Sequence, residues 1–245
     1  MPNWVRNVVK VSEDTMNKIK EKYFTDGKLD FNKVIPMPKT LDLTDGSITE
    51  YAIYYAFLQK DREKQREIID ILSKKEEYMY ENYWDKIRNY RDRGDFKDIE
   101  QYAKGFIPND EARKLNIFSL EKLGDTYINN VKEYGSPTWY DWCCDNWGTK
   151  WGACRFSCDK TTMIFDTAWA TPEPIFERIS KEFPDNLIEL KYADECYGNE
   201  NNGILLFNNG LESEEIKTSR KFYNSVWCKS IENEIDKDIA DEMFD

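Results

Sequence analysis

The chain has 245 residues, one third of them charged, 40% hydrophobic and with a formal charge of −12, which suits one domain with a large insertion or two small domains. No apolar run approaches the roughly 18 residues of a membrane span, so no membrane partner is expected. Histidine is absent, which excludes Ser-His-Asp and Cys-His nucleophilic systems, imidazole bases and His-containing zinc sites.

The opening Met1-Pro2-Asn3-Trp4-Val5-Arg6-Asn7 has neither the apolar stretch nor the cleavage site of a signal peptide, and a cytoplasmic location is expected. Trp4, Val5, Val8, Val9 and Val11 predict a strand over 4–11. Ser12 reads as the N-cap of a helix over 13–24, with Glu13 and Asp14 in its first turn and Met16, Ile19 and Tyr23 on its buried face. Asp26-Gly27 marks a turn, Leu29 and Phe31 suggest a short extended piece, and Pro36 and Pro38 keep the next stretch non-helical.

From about Ser47 to Tyr134 glycine nearly vanishes and strand patterns stop. Helices are predicted over 47–60 and 62–92, with shorter ones near 96–103, 109–114 and 118–132. This stretch reads as a helical insertion, with a local basic run of Lys86, Arg88, Arg91 and Arg93 set against Asp85, Asp92 and Asp95. It is rich in tyrosine (Tyr78, Tyr80, Tyr83, Tyr90) and carries Trp84.

Strand signals return after Gly135. Residues 152–158 and 161–167 predict a hairpin around Asp159-Lys160, with Met163 and Phe165 on one face. Pro172 and Pro174 open a helix over 173–183, whose apolar side is Ile175, Phe176, Ile179 and Phe183. Strands follow at 187–192 and 203–207, the second ending at Asn208-Asn209-Gly210. The C-terminus, about 214–244, reads as an amphipathic helix with Ile231, Ile235, Ile239 and Met243 on one face. From Ser230 onward seven acids face one base, Lys237, so this tail supplies half of the net negative charge.

Four of the six cysteines, Cys143, Cys144, Cys154 and Cys158, fall within sixteen residues. Their C-C-x9-C-x3-C spacing is not a zinc-ribbon or knuckle pattern, and reduced, packed thiols are expected in preference to structural zinc or disulfides. Two neighbouring segments draw more attention. Asn146-Trp147-Gly148-Thr149-Lys150-Trp151 and Phe165-Asp166-Thr167-Ala168-Trp169 gather three tryptophans, two threonines, a lysine and an aspartate. In one reading Trp147, Trp151 and Trp169 brace the end of the sheet against the insertion, with Lys150 lying over an indole. In the other, the three tryptophans line a pocket in which Thr149 and Lys150 receive an anionic or polar ligand.

The order strand, helix, hairpin, helix, strand, strand predicts an α+β fold. It would be a ferredoxin-like antiparallel sheet with two helices on one face, a long helical insertion and a C-terminal helix. Expected boundaries are 1–46 plus 135–211 for the core, 47–134 for the insertion and 212–245 for the acidic helix. The chain also resembles a family of phage- and plasmid-borne proteins grouped around the YubB-type ferredoxin-like domain, a domain of unknown function. The resemblance rests on Met1-Pro2-Asn3-Trp4-Val5-x-Asn7, Phe31-Asn32-Lys33-Val34-Ile35-Pro36-Met37-Pro38, Trp142 with Asn146 to Trp151, and Phe165-x-Thr167-Ala168-Trp169-x-x-Pro172-x-Pro174. It implies the fold, a mobile-element origin and residence in a bacterial cytoplasm, but no activity.

These features lead to the expectation of a non-enzymatic effector that binds a host protein with a basic surface, without cofactor, metal or direct nucleic-acid contact. The partner would be a nucleic-acid-guided antiphage complex such as a CRISPR effector, inhibited by covering its nucleic-acid-binding surface. The expected contact residues are Tyr80, Tyr83, Trp84, Glu232, Glu234, Asp238, Asp241 and Glu242. Two alternatives stay open. One is a small-molecule-binding or metal-dependent enzyme that uses the Trp/Lys/Asp cluster. The other is an RNA-binding ferredoxin-like module, which the net charge and the lack of an R/K-G-F-G-F-type aromatic strand oppose.

Overall fold

The computed structural model describes residues 2–74, 83–93, 96–198 and 201–228. The chain divides into two compact units, Met1–Pro36 with Cys143–Asp245, and Met37–Trp142. The helical unit thus takes in 37–46 and 135–142, beyond the expected 47–134. Local bonds explain why: Tyr127 and Asn130 donate to the carbonyls of Thr44 and Thr40, and Thr138 donates to Asp45.

In chain order, strand β1 (Trp4–Lys10) leads to helix α1 (Glu13–Tyr23), a hairpin of β2 (Phe24–Thr25) and β3 (Lys28–Leu29), and a helical turn α2 (Phe31–Val34). The second unit holds α3 (Ser47–Leu58), α4 (Arg62–Leu72), α5 (Tyr83–Arg93), α6 (Phe96–Lys104), α7 (Asp110–Lys114) and α8 (Leu120–Tyr134). After α9 (Trp139–Trp147) come β4 (Cys154–Cys158), β5 (Thr162–Ala168), α10 (Glu173–Glu182), β6 (Ile188–Asp194), β7 (Asn202–Phe207), β8 (Leu211–Ile216) and α11 (Arg220–Trp227).

The fold is mixed α+β, with a six-stranded antiparallel sheet in the order β4-β5-β1-β6-β7-β8. Its first four strands form the ferredoxin-like pattern: β5 and β6 flank β1, and α10 crosses between them. Strands β7 and β8 extend the sheet on the β6 side. Strand periodicity sends Val5, Asn7 and Val9 to the inner face, where all are fully buried. There Phe165 of β5 stacks on Phe176 of α10, centroids 6.1 Å apart, and Phe176 meets Phe207 of β7. Helix α1 joins this layer through Lys22 and Tyr23, both of which donate to Glu182 of α10. Ser12 caps α1, accepting from the Thr15 amide at 3.2 Å, as its position predicts.

The second unit has its own core, built on α3 and α8 around Ile53, Tyr54, Leu120, Leu123 and Tyr127. Gly124 of α8 lies against α3 so closely that a Cβ there would stand 1.9 Å from the Ala52 carbonyl oxygen. Ser119 caps α8, and Gly135 closes it in the left-handed conformation.

Several expected elements differ. Phe31 opens a helical turn, because Asp30 caps the Asn32 amide. The helix expected over 62–92 stops at Leu72, where Ser73 caps α4. Trp139–Trp147, for which no element is predicted above, is helix, and it places Cys143 and Cys144 at consecutive helical positions. The helix expected from 214 begins only at Arg220; Leu211–Ile216 is instead strand β8, paired with β7. Helix α11 covers the outer sheet face, with Val226 packed on Val8, Ile164 and Ala193. The stripe of Ile231, Ile235, Ile239 and Met243 lies outside the described residues. Among the described residues no helix is long and apolar enough to cross a membrane.

Candidate functional site

The two tryptophan segments form a stitched corner where α9 ends and β5 runs out. Gly148, at φ 75°, turns the chain so tightly that a Cβ would sit 2.8 Å from Pro174. Trp147 donates its indole N–H to the Ile35 carbonyl at 2.9 Å and meets Phe31 edge-on. Thr149 donates to the Ala168 carbonyl at 2.8 Å. Asn7 donates to the Thr167 hydroxyl, which donates in turn to the Ala170 carbonyl, and Thr171 donates to Asn7. Trp147, Thr149 and Thr167 thus spend their polar atoms within the first unit. Trp169 differs: at φ 72° it is held by its amide to the Asn3 carbonyl, and it is 50% exposed.

The remaining motif residues belong to a ladder on the outer sheet face. Lys150 lies 4.7 Å from the Trp151 ring centre, and Trp151 lies 6.2 Å from Trp4. The Arg155 guanidinium covers Trp4 at 4.6 Å. Arg155 and Arg6 both donate to Asp166, whose side chain is fully buried. Arg6 then covers Trp227 at 4.5 Å and donates to its carbonyl at 3.1 Å. Asp166 therefore acts as a charge-paired acceptor between two guanidiniums, which is a poor setting for a proton-abstracting base.

Sequence reasoning named Trp151, Lys150 and Asp166 but missed Trp4, Arg6, Arg155 and Trp227. Trp4 and Arg6 stand two apart on a strand, so period two places them on one face; that signal was available. Arg155 was not accessible, because a register irregularity between Cys154 and Ser157 and its left-handed backbone, φ 47°, redirect it.

The opposite sheet edge is acidic. All six residues of β8 are exposed, among them Glu212, Glu214 and Glu215, flanked by Leu211 and Ile216. Burial first, then the charges of Glu214 and Glu177, raise Glu173 above the usual carboxylate range. Tyr192 donates to Glu214 at 3.2 Å across Gly203, where a Cβ would collide with the Tyr192 ring.

In the second unit, Tyr83 is buried and donates to Asp141, while Lys86 covers its ring. They border a cleft of about 170 Å³ that is also lined by Asp45 and Glu50. Trp84 packs on Phe57 with ring centres 5.2 Å apart. Tyr78, Tyr80, Glu232, Glu234, Asp238, Asp241 and Glu242 lie outside the described residues. The cysteines are free thiols; burial and the neighbouring Cys144 push Cys143 up to about 12, and burial raises Cys154 and Cys158. Among the described residues no three side chains of metal-ligating type converge on one point.

Residues 146–237 match the family model of the ferredoxin-like domain in Api92-like protein. That is the second half of the sheet-bearing unit, including β4 to β8 and the ladder residues Arg155, Asp166 and Trp227. A solved structure, the crystal structure of a protein api92 from Yersinia pseudotuberculosis, is 14% identical, covering 89% of this chain and 99% of that one at a TM-score of 0.41. No curated protein matches the chain.

Proposed function

We propose that this protein is a non-catalytic binding protein whose acidic sheet edge engages a basic surface on another protein. The carrying observation is β8, an outermost strand with six exposed residues, three carboxylates and a flanking aliphatic at each end. Burial is the main cause of the raised Glu173, but the charges of Glu214 and Glu177 add to it, so an approaching cationic surface relieves some repulsion as well as making contacts. The chain's charge of −12 extends the same field over longer range.

The biological setting that fits is the cytoplasm of a bacterium carrying the phage or plasmid that encodes the protein. There it would inhibit a host antiphage system by covering the nucleic-acid-binding surface of a guided complex such as a CRISPR effector. The match of residues 146–237 to a domain found in Api92-like protein supports a ferredoxin-like module and assigns it neither an activity nor a target. The test is affinity purification from a host carrying such systems, followed by a cleavage assay with the recovered complex. Binding and inhibition are expected for the native chain and a loss of both for Glu212→Lys combined with Glu215→Lys. Recovery of no nucleic-acid-binding complex overturns the proposal, as does equal binding by the reversed-charge protein.

A further inference from the structure

We propose a nucleotide site on the outer sheet face, where a nucleobase stacks on the Arg155 guanidinium while its phosphate meets the positive field of Arg155, Arg6 and Lys150. This goes beyond the acidic-edge function, which lies at the other side of the sheet. Three observations converge on it. The first is the sandwich geometry. One face of the Arg155 guanidinium rests on Trp4 at 4.6 Å and its Nε edge is taken by Asp166, yet the side chain remains 53% exposed. A flat cation held this way offers its other face to a second π-system, as in the recognition of splayed bases.

The second is the backbone. Arg155 adopts φ 47° inside a strand, a left-handed conformation that costs free energy for any residue with a Cβ. The irregular pairing between Cys154 and Ser157 turns the side chain over Trp4 instead of letting it alternate along the strand. A purely structural strand would place glycine or asparagine here with less strain.

The third is charge. Two guanidiniums, those of Arg6 and Arg155, share one carboxylate, Asp166, in a chain whose overall charge is −12, and Lys150 lies over the neighbouring Trp151 ring. Asp166 fixes both guanidiniums without neutralising them, so the site is ordered before a ligand arrives. The ladder offers one exposed stacking plane, that of Arg155, and so suits a single nucleotide.

The experiment is isothermal titration of the full chain with adenosine monophosphate, with adenosine, inorganic phosphate and a single-stranded oligonucleotide as parallel arms. Adenosine monophosphate should bind more tightly than either of its parts. Arg155→Gly relieves the left-handed strain but takes a donor from buried Asp166, so its fold is checked by circular dichroism; the folded variant is expected to weaken binding about tenfold. Arg155→Lys keeps the charge but loses the plane and should weaken it comparably, whereas Lys191→Ala, whose partner is Glu189, should not. Oligonucleotide binding tighter than that of the mononucleotide, and equally dependent on Arg155, would identify a strand as the source of the nucleotide. No binding of any nucleotide overturns the proposal, as does phosphate binding that equals that of adenosine monophosphate. Affinity unchanged in Arg155→Gly does the same.

Discussion

Asp166 shows how one buried residue organises a surface. Its carboxylate accepts from two arginines that approach from different strands, Arg6 on β1 and Arg155 on β4. Asp166→Asn keeps the shape but leaves both guanidiniums without their counter-charge, Arg6 being only 21% exposed. A loss of about 2 kcal/mol in chemical denaturation is expected, and a loss near zero would mean that water replaces the carboxylate at no cost. The residues around it were unevenly legible in the sequence. The tryptophans and Asp166 stood out by type, and Trp147, Thr149 and Thr167 proved to be internal stitching. Arg155 was hidden because its role depends on a backbone irregularity that no spacing announces. Tyr83, expected at a contact surface, is buried against Asp141, since a tyrosine in a helix serves a core as readily as an interface.

Among the elements, helix termini and amphipathic faces were read from residue patterns wherever local chemistry decides. Ser12, Asp61, Asn109 and Ser119 all cap helices close to their expected starts. Where tertiary packing decides, the reading changed. Trp139–Trp147 carries tryptophan and cysteine, residues that suit strands, yet it is helical. Strand β8 has a helix-like composition and becomes a strand by pairing with β7. Two predictions belong at this scale. Gly124→Ala should destabilise the helical unit by about 2 kcal/mol, because α3 and α8 must separate to admit a methyl group; thermal unfolding followed by helical circular dichroism reads it. Glu182 ties α1 to α10. Burial pushes its carboxyl up, but the hydrogen bonds and charges of Lys22, Tyr23 and Arg178 outweigh this and hold it below the ordinary 4.5. Its contribution is therefore present above that value and lost as pH falls through the lower folded value. Glu182→Gln should cost about 1 kcal/mol at neutral pH, and the gap from the native chain should close in strongly acidic buffer.

At the level of the whole molecule, the acidic edge and the long-range field predict that complex formation with a basic partner slows as salt rises. Stopped-flow association rates should fall between low and physiological ionic strength, while dissociation changes less. Rates insensitive to salt would remove the electrostatic part of the proposal. The division of the chain has another consequence, one of timing. The helical unit is a continuous run, Met37–Trp142, whereas the sheet-bearing unit is assembled from two distant pieces. Its central strand, β1, is made first, yet its partners Thr162–Ala168 and Ile188–Asp194 are made late. On a ribosome the helical unit can form while β1 and the apolar face of α1 still wait, with Val5, Val9, Met16 and Ile19 uncovered. Nascent chains stalled near residue 180, with Trp142 clear of the ribosomal exit tunnel and β5 still inside it, should thus protect the helical unit from protease while leaving residues 4–23 open to cleavage and to chaperones.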